Sequence, residues 1–266
     1  MREVLALLRA GWIAALSYRM NLLFSFTGLA LMLAPLYFVA QALQPIAASS
    51  IRSEGGHYLA FLIVGLAVLG LLQTALLALP LALGAGISSG TLEAMLATPA
   101  RIPALLVGLI SYECSWSAVR AGVMLLVGIA MGVSVNPAGI PIAVLALGLT
   151  VAAYFGISLA LAAMILVFRT TGPLGTGVLA GSALLGGAYY STSVIPSWIQ
   201  HLSAVVPLTY GLRATRQALL TGTPTTGLWT DIAMVAGFAA LLLGAGGLLF
   251  MVGLNHARRE GSLGQY

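Results

Sequence analysis

From Tyr58 to Ala85 the chain carries no charged side chain. An apolar run of that length suits a membrane-crossing helix, because a hydrocarbon core about 30 Å thick takes about 20 helical residues. Comparable runs recur at about 21–43, 103–132, 140–168, 174–194 and 228–254, which predicts six crossings in all. Composition points the same way: 60% of the 266 residues are hydrophobic and 6% are charged, against roughly 45–50% and about 25% in soluble domains. So few charges cannot solvate a globular surface, which excludes a soluble enzyme, and so much apolar surface excludes a disordered chain. In lipid a helix satisfies its own backbone hydrogen bonds, so the expected fold is an all-α membrane protein with six transmembrane helices.

Between and before these runs lie three amphipathic or broken pieces. Residues 1–18 place Arg2 and Arg9 on one helical face and Leu5, Leu8, Trp12 and Leu16 on another, the pattern of a helix lying in the membrane interface. Ala40-Gln41-Ala42 has the look of a signal-peptide cleavage site, but the apolar run before it exceeds the roughly 7–15 residues of such signals, so it is read as the first span. Residues 86–101 form a short amphipathic piece ended by Pro99. Residues 195–222 are cut by Pro196 and Pro207 and are too short for another span. They predict two short helices, about 196–205 and 208–221, that dip into the outer leaflet as a re-entrant hairpin. In that hairpin Ile195, Trp198, Leu202 and Val206 make an apolar face, and Arg213 and Arg216 are expected to face water or lipid headgroups. The whole chain, 1–266, reads as one transmembrane domain.

Every cation is Arg, and their distribution sets the orientation. Six spans put both termini on one side, together with Arg2, Arg9, Arg19, Arg101, Arg169, Arg258 and Arg259; Arg52, Arg213 and Arg216 fall on the other. The positive-inside rule then predicts cytoplasmic termini in a bacterial inner membrane. The net charge of +5 is scattered between apolar runs rather than gathered in a patch, so nucleic acid is not an expected partner.

Candidate chemistry is sparse. A P-loop needs a Lys on the nucleotide phosphates, and the chain has no Lys, so any ATP and magnesium must sit on another subunit. The single Cys114 excludes an internal disulfide and a Cys-based zinc site. Gly86-Ile87-Ser88-Ser89-Gly90 matches the G-x-S-x-G string of serine hydrolases but follows an apolar helix, and the lone Asp231 falls on the opposite side. His57, His201 and His256 are dispersed, so neither a metal site nor a catalytic site is expected. The intramembrane pair Glu113 and Arg120 stands out, seven residues apart on one face of the third span. Three readings of it are open: a functional pair, a structural pair satisfied by each other, by polar neighbours such as Ser111 and Ser117, or by water, and a helix that begins later and leaves Glu113 at the inner interface. Gly128/Gly132 and Gly177/Gly181 are spaced for close helix packing within the bundle.

Two segments carry a family resemblance. GTLEAMLATP (90–99), between the second and third spans, resembles a signature of type-2 ATP-binding-cassette (ABC) permeases, and the stretch 186–222 is similar to the family's segment before its last span at Pro196, Trp198, Pro207, Tyr210 and Arg216. The resemblance implies that Gly90, Thr91, Leu92, Glu93, Met95, Leu96, Thr98 and Pro99 belong to a cytoplasmic coupling helix that docks on a separate nucleotide-binding subunit. Ile87-Ser88-Ser89 and Leu109 stand where the family usually has charges. It further implies alternating access driven by the partner's ATP hydrolysis, and a dimer with a second copy or a paralogue. The expected function is a permease subunit that exports an amphipathic drug or lipid-like substrate. The rival expectations are a polysaccharide or glycolipid ABC exporter and a secondary transporter, which would want polar midplane sites on broken helices.

Overall fold

The computed structural model of the chain describes residues 8–13, 19–90, 102–168, 173–221 and 226–259. Among these residues the regular elements are helical, with no strand. A short helix over residues 8–13 (α1) precedes α2 (Arg19–Ala47), α3 (Tyr58–Ser88), α4 (Ile102–Ala130), α5 (Ile140–Phe168) and α6 (Leu174–Leu185). Two short helices follow, α7 (Ser197–Ser203) and α8 (Pro207–Arg216), then a wide turn over Gln217–Thr221 and the long α9 (Thr226–Arg259).

Five of these helices are long and apolar enough to cross a membrane: α2, α3, α4, α5 and α9. The expected span at 174–194 is different. Its helix, α6, has 12 residues, about 18 Å of rise, which is less than the hydrocarbon core. Gly186 and Gly187 stop it; Gly187 has a φ of +73°, a left-handed conformation open to glycine and unlike a continuing helix.

The apolar clusters fix the direction of each helix. At one end of the bundle Leu79 and Leu83 of α3 meet Leu106 and Ile110 of α4, Leu159 and Leu166 of α5, and Phe250 and Leu254 of α9. At the far end Ala60 and Ile63 of α3 meet Met124 of α4, and Ala146 of α5 meets Leu228 and Ile232 of α9. Thus α3, α5 and α9 run one way and α4 runs the other. Helix α2 opposes α3, with Leu33 beside Ile63 and Ala67, and Ala40 beside Phe61. Helix α6 also opposes α3. Its Gly175 lies against Leu77 and Leu161, while Ala188, just past its end, lies against Gly65.

Glycine decides the closest approach. A Cβ at Gly156 of α5 would run into the Leu242 backbone of α9, and one at Gly246 would run into Gly156 itself. The two backbones therefore touch along a glycine seam. The spaced pairs singled out in the sequence do other things. Gly128 makes room for Ile63, Gly132 ends α4 with a φ of +96°, and Gly177 and Gly181 have open space around them. Behind Gly132, the Val133 N–H reaches the Gly128 carbonyl at 3.0 Å, the long bond of a glycine helix stop. At the far end the Gln44 carboxamide of α2 bridges the Gly56 carbonyl (2.9 Å) and the Tyr58 N–H (2.7 Å), covering an orphan donor at the start of α3.

Candidate functional site

A cavity of about 860 Å³ opens between α2, α3, α4 and α6. Its walls are mainly apolar, from Leu29 and Met32 of α2, Leu66 and Leu69 of α3, Met124 of α4 and Leu179 of α6. A polar belt interrupts them: Gln73 and Thr74 of α3 face Glu113, Ser117 and Arg120 of α4. Ser117, itself buried, donates to the Gly70 carbonyl at 3.1 Å and ties α4 to α3 at mid-height. Glu113 and Arg120 both line the cavity, yet no salt bridge joins them among the described residues. Direct contact, one of the ways in which a structural pair would be satisfied, is therefore not formed among the described residues. Gln73 lies halfway along α3, and its uncharged amide gave no signal against the apolar run.

Helix α1 lies against the middle of α4, at Tyr112, Ser115 and Trp116. The Trp12 indole N–H donates to Ser115 Oγ at 3.0 Å, and its ring meets Tyr112 and Trp116 edge-on. Gly11 sits against the Tyr112 ring, so α1 rides flush on α4.

The far end of the bundle is held by two acid–base pairs. Arg216 is the largest fully buried side chain, 2% exposed. This corrects the expectation that it faces water or headgroups. Its Nη1 donates to Glu54 Oε2 (3.0 Å) and the Gly187 carbonyl (3.0 Å); Nη2 donates to the carbonyls of Phe61 (3.1 Å) and Ala188 (2.9 Å). The guanidinium also lies 3.4 Å from the centre of the Phe61 ring. Burial is tolerable because an acid, three carbonyls and an aromatic face replace water. Gly65 leaves the space: a Cβ there would stand 2.6 Å from Arg216 Nη2. Burial pulls the Arg216 pKa down to about 10 against the opposing pull of Glu54, so it stays cationic at neutral pH.

Arg213, by contrast, is 40% exposed and grips Asp231 of α9 with two bonds, Nε to Oδ2 at 2.7 Å and Nη2 to Oδ1 at 2.6 Å. The hydrogen bond to Asp231 holds its pKa above the ordinary value. The sequence reading missed both acids. A matching of outer-side charges would have found them, since Glu54 and Asp231 are the acids that the predicted topology puts with Arg213 and Arg216.

The remaining marked residues fall as follows. Pro196 precedes α7 and Pro207 opens α8. Trp198 is exposed, and the Tyr210 hydroxyl donates to the Ala204 carbonyl at 2.9 Å, closing the turn between the two helices. Gly90 has a φ of +68° just after α3. Thr91, Leu92, Glu93, Met95, Leu96, Thr98 and Pro99 lie outside the described residues.

A search of curated proteins returns no match. The family model described as ABC-2 type transporter matches residues 2–220. That stretch takes in α1, the cavity, the segment 90–99 and the buried Arg216, so the chain is the membrane permease type of subunit, a multi-pass protein that belongs to the ABC-2 type transporter family.

Proposed function

We propose that the chain is one half of an ABC exporter that moves an amphipathic drug or lipid-like molecule outward. The observation that carries this reading is the cavity between α2, α3, α4 and α6, apolar in its walls and polar at mid-height. An amphiphile matches both, with its body on the leucines and its polar group at the belt. The chain has no Lys for a P-loop, so a separate nucleotide-binding subunit hydrolyses the ATP. That subunit docks on 90–99, with Glu93 facing a basic residue and Leu92, Met95 and Leu96 filling a groove. A second copy or paralogue completes the pathway, and 195–222 caps its exit.

The proposed arrangement has six crossings, five by the long helices and a sixth in the stretch that contains the short α6. Helices α5 and α9 run the same way, so the chain must return between Phe168 and Thr226, and α6 runs in the returning direction. Both termini are then proposed to share the side of Ser89 and Gly90, which the Arg distribution assigns to the cytoplasm of a bacterial inner membrane. The test is reconstitution of the permease with an ABC ATPase subunit that co-purifies with it. ATP-dependent accumulation of an amphipathic dye inside inverted vesicles is expected. Accumulation driven by a proton or sodium gradient without ATP would overturn the reading in favour of a secondary transporter.

A further inference from the structure

The two charges in the cavity are set apart along one helix. Ser117, tied to Gly70, marks mid-height. Glu113 lies four residues toward the start of α4, about 6 Å, and Arg120 three residues the other way, about 4.5 Å. The backbone positions of acid and base are thus offset by some 10 Å along the same wall, with Ser117 between them and Gln73 and Thr74 across the cavity. Neither has a salt-bridge partner among the described residues, whereas Arg213 and Arg216 each have one. Glu113 is exposed and Arg120 half-buried on the protein, and within a membrane a charge at that depth is costly unless an opposite charge meets it. The cavity volume of about 860 Å³ lies in the range of sites for drug-sized molecules. Met32 and Met124 give its walls unbranched, adaptable side chains.

We infer that this cavity is a binding site for zwitterionic amphiphiles, with the ligand's cation at Glu113, its anion at Arg120 and its apolar body against α2 and α6. The inference rests on the exporter reading and narrows its substrate class. A purely cationic amphiphile would satisfy Glu113 and be repelled by Arg120; a purely anionic one would meet the reverse. A molecule carrying both charges within about 10 Å satisfies the two together and leaves neither stranded.

Three xanthene dyes of similar shape test this: rhodamine B, a zwitterion at neutral pH; rhodamine 6G, its cationic ester counterpart; and fluorescein, an anion. Binding is read by fluorescence polarisation on the full-length permease in lipid nanodiscs, with empty nanodiscs subtracted. Rhodamine B is expected to bind about ten-fold or more tighter than either other dye, the scale of one charge-assisted hydrogen bond. Glu113→Gln should then raise fluorescein binding to at least the rhodamine B level, and Arg120→Gln should do the same for rhodamine 6G. A gain confined to the one dye, with binding of the dye of opposite charge not raised, separates a charge effect from the general dye uptake of a misfolded chain. Equal binding of all three dyes by the unaltered protein overturns the inference, even if neither variant folds. So does an unchanged dye ranking in variants whose dimer falls apart, since the charges would then serve a contact between copies. Because no ATP is involved, dye binding without ATP-driven transport would sink the exporter reading and leave the site standing.

Discussion

Arg213 and Arg216 sit one helical turn apart, and sequence spacing alone treats them alike. Packing separates them: Arg216 points into the bundle beside Glu54 and Gly65, while Arg213 reaches Asp231 at the rim. Which of the two goes inside was not legible, because Glu54 is 162 residues away in sequence and the space for the guanidinium depends on Gly65. Breaking a buried pair strands the surviving charge. Arg216→Met and Glu54→Gln are each expected to destabilise the protein by about 3–5 kcal/mol, with the double change milder than the sum. Arg213→Ala, which removes a 40% exposed cation but leaves the buried Asp231 unpaired, should cost less than either change, about 1–3 kcal/mol. Thermal unfolding of the four variants in nanodiscs checks this, and strict additivity of the Arg216 and Glu54 changes would count against the pairing. Glu113 and Arg120 were legible as residues of interest because charge is rare inside an apolar run. Their relation to Gln73 and Thr74 was not, since that depends on how α3 and α4 rotate about their axes.

Whole helices were easier to read than their contacts. The runs at 58–85 and 140–168 correspond to α3 (Tyr58–Ser88) and α5 (Ile140–Phe168), because long uninterrupted apolarity leaves few alternatives in lipid. The run at 174–194 misled, because apolarity says nothing of where a left-handed glycine will end a helix, as Gly187 does after α6. Spacing of small residues misled as well: the open surroundings of Gly177 and Gly181 contrast with the backbone contact at Gly156 and Gly246, which are too far apart in sequence to form a local motif. Two substitutions separate these roles. Gly156→Leu should destabilise the bundle by about 3 kcal/mol or more, since side-chain atoms would have to displace the α9 backbone. Gly177→Leu should change stability by less than about 0.5 kcal/mol, as substitutions into open space do. A comparable loss of thermal stability in both would reject the glycine seam.

For the molecule as a whole, the asymmetry of Arg along the chain is the most informative property of the sequence, since it orders the connecting segments into two sets without any knowledge of packing. The proposed topology puts position 95 inside the cell. Single-cysteine labelling in a Cys114→Ala background should therefore modify position 95 after permeabilisation and leave it unmodified in intact cells; modification in intact cells alone would reverse the arrangement. Glu93→Arg should abolish ATP-driven transport while membrane insertion is preserved, because a reversed charge at a docking contact repels its partner. Transport at the unaltered rate would mark Glu93 as a solvated surface residue.

The glycine seam between α5 and α9 also bears on how such a protein moves. Two main chains in direct contact have no intervening rotamers to exchange, so the pair offers no graded series of sliding positions. The pair is expected to move as one rigid mast rather than as a hinge. The cavity wall is built otherwise: α2 and α4 present long, flexible side chains such as Met32 and Met124 across an open space. Displacement during a transport cycle should therefore be taken up by that wall swinging against a fixed mast. Spin labels on α5 and α9 are expected to keep one separation with and without ATP, while labels on α2 and α4 change theirs.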